Sequence, residues 1–485
     1  MKMNSIAEAV KYYAQERPNR LCVADTAYQY TYAQFFDYAK MLASQLKEYA
    51  GKVIVMRCSQ DGTYLAMKTA CELIGAIFVP VERDASETRI KEIISETDAA
   101  LFMSDKQIEG LECDCCGNIL YDGKKYEDEF SLPKAEDTVE VLFTTGTTGK
   151  SKGVEVSSAN NIALAENIIY GVEMREDNVE LIPLPISHSH GLRSCYANLV
   201  NGCSIVLSNG VMMTKVIFDM IEKYNVISMD FSPSAIKTMM KLGKDRFFAL
   251  AERLDYIEIG TAVLDEETKA TLIERFKNTR LYNFYGSTES GRSCILDFRK
   301  ENKNKCVGKP TKNAKFIVTD ENRKKIVSSK ENMGLLACAG AMNMKGYWRQ
   351  PELTKETMRD GYIFTNDLSY IDEEGYVYVF GRKDSIINYG GIKIAPDEIE
   401  EKILKYKDIE DCCCVPKNDP IYGQVPYLYI VVRKGSELNR DDFMAYMRKH
   451  IDNNKLPKQI EQIDSIPRTF NGKLQRNKLI ERCNG

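Results

Sequence analysis

The chain has 485 residues, 44% of them apolar and 28% charged, and Lys+Arg 66 against Asp+Glu 70 leaves a net charge of -4. That length exceeds one ordinary core and points to two or more domains of globular composition. The charge balance gives no general basic field for nucleic acid, and the longest apolar run, about residues 73–81, is far short of a membrane span.

The opening stretch MKMNSIAEAVKYYAQERP does not read as a signal peptide. Ser5 and Glu8 have capping-box spacing, and Ile6, Ala9, Val10, Tyr13 and Ala14 form one helical stripe, so a helix and a cytoplasmic location are expected. Thr31 and Gln34 repeat the capping pattern before a helix with Phe35, Tyr38, Leu42 and Leu46 on one face. KVIVMRC then reads as a buried strand, 63–74 as a helix and AIFVPV as a strand, which makes a βαβ unit of a doubly wound, largely parallel sheet. VEVLF (139–143) and CSIVLS (203–208) are further buried strands.

Near residue 380 the character changes. EEGYVYVFGRKDSIINYGG combines an aromatic, alternating hairpin with a charged, glycine-containing connector. Beyond it a helix at 397–406, strands near 411–415 and 426–433, and a helix from about 440 suit a small α+β domain. Fifteen cysteines in an unexported chain are expected to be mostly reduced thiols. Cys113, Cys115 and Cys116, and the run Cys412, Cys413 and Cys414, read as structural, because the chain has three histidines and the Cys113–Cys116 spacing has no second CxxC to complete a four-ligand site. IEDCCCVP in particular reads as a short buried strand with cysteine as a small hydrophobe.

The clearest chemical motif follows the strand at 139–143: Thr144, Thr145, Gly146, Thr147, Thr148, Gly149, Lys150, Ser151, Lys152 and Gly153. Hydroxyls donate, glycines admit backbone N–H groups to phosphate oxygens, and lysines supply countercharge. It is not a Walker A loop, whose first glycine would fall on Thr144. With this loop the chain resembles the superfamily of AMP-forming acyl-CoA synthetases, peptide-synthetase adenylation domains and luciferases. The resemblance continues in order through LPISHSHGL, GTAVL, NFYGSTES, YIFTNDLSYIDEEGYVYVFGRKD, GGIKIAPDEIE and PRTFNGKLQR, and so covers nearly the whole chain.

The resemblance implies an α/β fold. Residues 1–381 would form an ATP- and acyl-binding domain of doubly wound, mostly parallel sheets with a distorted β-barrel subdomain. Residues 382–485 would form a mobile α+β domain. It implies adenylation of a carboxylic acid by ATP and Mg²⁺, then transfer to the thiol of CoA. A stand-alone enzyme loading a carrier-protein phosphopantetheine is the alternative, and a non-catalytic nucleotide-binding descendant would be expected to lose Lys473, Glu289 or Asp367, all of which are retained. Nucleotide binding falls on residues 144–150 and Lys152, on Gly260, Thr261 and Ala262, and on Asn283, Phe284, Tyr285, Gly286 and Thr288. Tyr285 would stack on adenine, Thr288 would donate to the α-phosphate, and Glu289, with Thr145, would hold the metal. Taken alone, the Thr/Glu segment also suits a helix N-terminus.

Asp367 matches the aspartate that accepts both ribose hydroxyls, although the usual Thr-Gly-Asp is here Thr365-Asn366-Asp367. Arg382 matches a nucleotide-contacting arginine, and Lys473 the lysine that reaches the bridging oxygen during adenylation. Asp384 matches the hinge, and Gly390, Gly391 and Lys393 the loop brought up for the thiol step. His188, His190, Ser194, Gly260, Phe284 and Arg292 fall where relatives line the acyl pocket, with Phe284 shortening it. HSHGLRSCYANL contains no acid, which argues against an amino-acid substrate, while Arg193 or Arg292 would either meet a second polar group on the acid or face water.

Overall fold

The computed structural model describes residues 3–105, 107–108, 114–115, 120–144, 152–261, 264–301, 303–389, 392–453, 455–468 and 474–484. The helix Ile6–Glu16 starts on Ser5, whose side chain accepts from the Glu8 amide, and Tyr32–Gln45 opens with the full reciprocal box of Thr31 and Gln34. The predicted βαβ unit is present: strand Val53–Arg57, helix Gly62–Leu73 and strand Ile77–Val81, with the two strands paired in parallel.

The chain divides into two compact units, one of residues 1–317, 337–364 and 375–377, the other of 318–336, 365–374 and 378–485. The first unit holds two sheets. In one, Gly346–Tyr347, Lys152–Ser157, Thr138–Thr144, Ile77–Val81, Val53–Arg57, Leu101–Ser104 and Asp114–Cys115 lie side by side. In the other, Arg280–Ser287, Tyr256–Ile259, Ser228–Phe231, Val179–Ile182, Ser204–Leu207 and Leu21–Ala24 form a continuous parallel array. The parallel strands are buried on both faces, as sheets covered by helices on both sides require. At the Arg280–Ser287 end of this array the pairing becomes antiparallel, where the chain turns back into Gly291–Asp297.

In the second unit, Ile392–Ile394, Ile387–Tyr389, Gly423–Val432 and Ile409–Asp419 form a sheet, joined by Gln459–Gln462. Helices Pro396–Ile403 and Arg440–His450 match the expected ones. The cysteine run lies within Ile409–Asp419 with all three residues buried. Cys412 and Cys414 face one apolar cluster with Ile399, Leu428 and Phe443, while Cys413 faces another with Tyr429, Ile466 and Leu479. The alternation follows the two-residue period of a strand. Cys113 and Cys116 lie outside the described residues, and the twelve cysteines characterised among them are free thiols. No described helix is long and apolar enough to cross a membrane.

Candidate active site

Strands Thr138–Thr144 and Lys152–Ser157 pair so that Thr144 stands opposite Lys152, with the Thr144 hydroxyl 3.5 Å from the Lys152 carbonyl oxygen. The intervening Thr145, Gly146, Thr147, Thr148, Gly149, Lys150 and Ser151 lie outside the described residues. Their two ends are held together by the ladder, so the loop starts and finishes at one point. Tyr347 stands one strand over, opposite Val154, and the Lys152 ammonium lies 5.4 Å above its ring. Next to it, Trp348 donates its backbone N–H to the Gly153 carbonyl at 2.7 Å, and a Cβ on Gly153 would stand 3.2 Å from the Trp348 Cβ.

NFYGSTES occupies the hairpin between Arg280–Ser287 and Gly291–Asp297, so Thr288 and Glu289 sit in a β-turn and not at a helix N-terminus. The Ser287 hydroxyl accepts from the Ser290 amide at 3.1 Å and caps that turn. Gly286 is required there: a Cβ would stand 1.9 Å from the Gly291 carbonyl oxygen. Glu289 is half-buried, its Oε1 accepts from the Tyr347 hydroxyl at 2.9 Å, and its backbone carbonyl accepts from the Met344 amide at 2.8 Å. Tyr347 therefore links the predicted metal carboxylate to the predicted phosphate-loop lysine. The sequence reading passed over it; an aromatic pair after glycine in MKGYW was the available signal. A hard carboxylate oxygen oriented by a hydroxyl suits Mg²⁺, so Glu289 fits the metal role, while Thr145 lies outside the described residues.

Asn283 is buried and donates from Nδ2 to the Ile259 carbonyl at 2.8 Å, joining its strand to the start of GTAVL. Thr261 has a φ of 77°, and Ala262 lies outside the described residues. The Tyr285 ring lies 6.4 Å from that of Phe316.

Five predicted acyl-pocket residues come together. The Phe284 ring lies against Gly260, where a Cβ would stand 2.0 Å from it, meets His190 edge-on at 4.7 Å, and carries the Arg292 guanidinium at 4.2 Å. His190 Nε2 lies 2.7 Å from Asp230, and Arg292 Nη2 donates to Asp230 at 2.9 Å and to the Ser194 hydroxyl at 2.6 Å. Ser194 also bonds Asp230, and Arg292 bonds Glu258. His188 stands apart at the start of helix Ser189–Val200; burial lowers its imidazole, with Glu82 and Asp84 opposing.

The acids in this cluster were not singled out from sequence. Glu180, Asp230 and Glu258 come from strands Val179–Ile182, Ser228–Phe231 and Tyr256–Ile259, with ligand atoms within 4.8 Å of one another. The available signal was an acid in the middle of each buried strand. Burial opposes ionisation of Asp230, but His190, Arg292 and the bonds from His190 and Ser194 hold its carboxyl below the usual range. Glu258 is pushed up to about 8 by burial against the pull of Arg292, and Glu180 to about 8 by burial and the charge of Asp230. One buried guanidinium thus stabilises one ionised acid, and the other two keep their protons at neutral pH.

Two expectations are corrected. Arg193 does not face water: it is 1% exposed and bonds Glu140 and Asn161. Arg292, 3% exposed, is likewise committed to buried acids, because a desolvated guanidinium is stable only with compensating charge. The segment after His188 has no acid of its own, yet Asp230 reaches the same place from another strand; it is already neutralised there.

In the second unit, Asp367 Oδ1 lies 3.6 Å from Arg382 Nε, and the Asp367 amide donates to the Thr365 hydroxyl at 3.1 Å. The altered Thr-Asn-Asp segment lies within strand Tyr362–Ile371 and not in a turn, with the aspartate beside the arginine. Lys393 lies on strand Ile392–Ile394 opposite Asn388, and Asp384 in the turn Lys383–Ser385; their side chains, with Gly390, Gly391 and Lys473, lie outside the described residues.

Paired strands that carry the Thr/Gly/Lys motif between them and a carboxylate-bearing hairpin in the same unit suit a nucleotide-handling α/β enzyme. Residues 10–348 match the AMP-binding enzyme family and residues 398–473 the AMP-binding enzyme C-terminal domain. The chain belongs to the AMP-binding enzyme family. It is 29% identical over 480 residues to a 2-succinylbenzoate–CoA ligase of Staphylococcus epidermidis, covering 96% of each chain. It is 28% identical over 504 residues to the enzyme of that name from Staphylococcus aureus, covering 96% of this chain and 98% of the relative. Its fold matches ATP-bound MatB from Rhodopseudomonas palustris with a TM-score of 0.88 at 22% identity, over 99% of both chains. It also matches o-succinylbenzoate CoA synthetase (MenE) from Bacillus subtilis, in complex with its acyl-adenylate intermediate, with a TM-score of 0.88 at 21% identity over 97% of both.

Proposed function

We propose that this protein is an AMP-forming acid–thiol ligase. A carboxylate oxygen attacks the α-phosphorus of ATP, the bond to the bridging oxygen breaks, and pyrophosphate leaves. The CoA thiolate then attacks the carbonyl carbon of the mixed anhydride and expels AMP. The observation that carries this reading is the link Glu289–Tyr347–Lys152, which fixes a metal-type carboxylate at the base of the phosphate loop. Phosphoryl chemistry of this kind needs positioning and charge neutralisation more than covalent help from protein. When bound, Mg²⁺ supplies neutralising charge to the phosphates from Glu289 and Thr145.

Thr288 donates to the α-phosphate, Asp367 and Arg382 hold the ribose side of the nucleotide, and Lys473 supplies the mobile cation for adenylation. Residues 382–485 act as the mobile domain, with Asp384 as its hinge and Gly390, Gly391 and Lys393 as the thiol-step loop. His188 and the His190, Ser194, Gly260, Phe284 and Arg292 group line the acyl side. Because Asp230 is neutralised by Arg292, that side offers no uncompensated acid for a substrate ammonium, which supports a non-amino acid. Free cysteines suit a reducing cytoplasm.

The test incubates enzyme, ATP, Mg²⁺ and CoA with a pooled acid library that includes 2-succinylbenzoate, the acid in the relatives' name. Acyl-CoA and AMP are expected in equal amounts by mass spectrometry. Acyl-AMP accumulating without thioester would shift the acceptor to a carrier protein, and ADP as product would overturn the reading.

A further inference from the structure

We propose that Arg468 and Arg476 are positioning residues for Lys473, anchoring the two ends of the segment that carries it to the core of the second unit. The proposal rests on the adenylation role given to Lys473 above. Residues 469–473 lie outside the described residues, but both flanks are described. Arg468 and Leu474 pair as an antiparallel bridge, and the Gln475 amide donates to the Pro467 carbonyl at 2.9 Å, so the chain leaves and returns at one place.

Each flank carries one arginine with a bidentate carboxylate partner. On the incoming side, Arg468 donates to Asp411 from Nε at 3.1 Å and from Nη2 at 2.9 Å. On the outgoing side, the Arg476 side chain is 12% exposed, and Nη2 donates to Glu400 at 3.0 Å and to Asp397 at 3.0 Å. Its Nη1 bonds the other Glu400 oxygen and the Cys414 carbonyl. Burial drives Glu400 upward and opposes the charge on Arg476, but Glu400 keeps that guanidinium firmly protonated. Bidentate guanidinium–carboxylate pairs fix orientation as well as distance, which a lysine ammonium at the same place would not.

Both anchors meet on one strand. Asp411 and Cys414 lie on Ile409–Asp419, while Asp397 and Glu400 lie on helix Pro396–Ile403, which begins three residues after Lys393. Arg476 also borders a cavity of about 150 Å³ with Gly381, Arg382 and Asp397. One guanidinium therefore joins the base of the Lys473 segment to the helix that follows the 390–393 loop. Fixing the ends shortens the search of a long, flexible ammonium stem for its reactive position.

The test separates the half-reactions. Acid-dependent ATP–pyrophosphate exchange reads adenylation, and thioester formation from supplied acyl-AMP reads the second step. Arg468→Gln breaks an exposed pair that contributes little to stability. It is expected to lower exchange kcat about 10-fold with the KM for ATP little changed, since misplacement by about an ångström costs up to 10²-fold. Thioester formation should stay near wild type, and the swapped pair Arg468→Asp with Asp411→Arg should recover most of the exchange. Arg476→Ala should cost exchange about 100-fold by the same argument. Because that variant buries Glu400 unpaired and risks misfolding, the Arg468→Gln result decides. Exchange within twofold of wild type, or an equal fall in both half-reactions at unchanged thermal midpoint, would overturn the proposal. A wild-type enzyme with no acid-dependent exchange on the whole acid pool would instead refute the adenylation reading, before any variant is compared.

Discussion

Glu258 shows how a buried acid cluster writes itself into stability. Its pKa of about 8 stands above the usual carboxylate value, so the folded chain holds a proton that the unfolded chain has released. Between about pH 4.5 and 8 the folded state binds more protons than the unfolded state, and stability falls as pH rises; above 8 the loss levels off. Glu180 adds a contribution of the same sign. Replacing Glu258 by Gln keeps the shape and removes the proton, so the melting temperature of Glu258→Gln should gain on wild type steadily from pH 5 to pH 8. Parallel melting curves across that range in calorimetry would deny the shift. This cluster was beyond reach of sequence pattern because its members come from strands separated by tens of residues. A single acid in VELI, SMDF or IEI shows that something compensates it, but not what.

Among the elements, the two-residue strand Gly346–Tyr347 has a reach out of proportion to its length. It sets a hydroxyl on Glu289 and a ring under Lys152. Tyr347→Phe keeps the ring and loses the hydroxyl bond. Loss of such an outer partner costs about 10–100-fold in metal affinity or activity. The Mg²⁺ concentration for half-maximal pyrophosphate exchange should rise accordingly; an unchanged Mg²⁺ dependence would remove Tyr347 from the site. The hairpin opposite is equally demanding. Gly286→Ala would drive a methyl into the Gly291 carbonyl, and loss of acid-dependent exchange by at least about 100-fold is expected, since a 1 Å misplacement alone costs about that much. Regular elements were legible because capping pairs and apolar periods are local: Ser5, the Thr31–Gln34 box and the cysteine strand all stand where the residues put them. The strand around the cysteines runs from Ile409 to Asp419, well past the 411–415 reading. Its polar end, Lys417, Asn418 and Asp419, is carried by pairing with Val425, Gln424 and Gly423, a partner that no local pattern reveals.

Across the molecule, the family, the α/β class and the order of motifs were legible because a ligand that touches many segments leaves a signature in each. The fate of charged side chains was not, because burial depends on what the rest of the chain brings up. Arg193 illustrates this: in HGLRSCY it reads as an arginine that meets a polar group of the acid or faces water, yet it closes a buried network of Glu140, Asn161 and, through Glu140, Tyr196 in the first unit. Arg193→Ala would strand the Glu140 carboxylate in the core, at a cost of about 3–5 kcal/mol. Calorimetry should show the first unit melting several degrees below wild type, and a midpoint within about 1 °C, roughly the shift of under 1 kcal/mol in a domain this size, would contradict the buried pair.

Trp348 is the chain's one tryptophan, and its backbone is tied to Gly153 at the foot of the phosphate loop. The protein thus carries a native optical probe beside the segment to which we assign the phosphates. Emission on excitation near 295 nm comes from that indole alone, free of the 27 tyrosines. Titrating ATP into the unlabelled protein should move this signal with a single-site curve, so that occupancy, and its loss in any variant above, can be followed without a coupled assay.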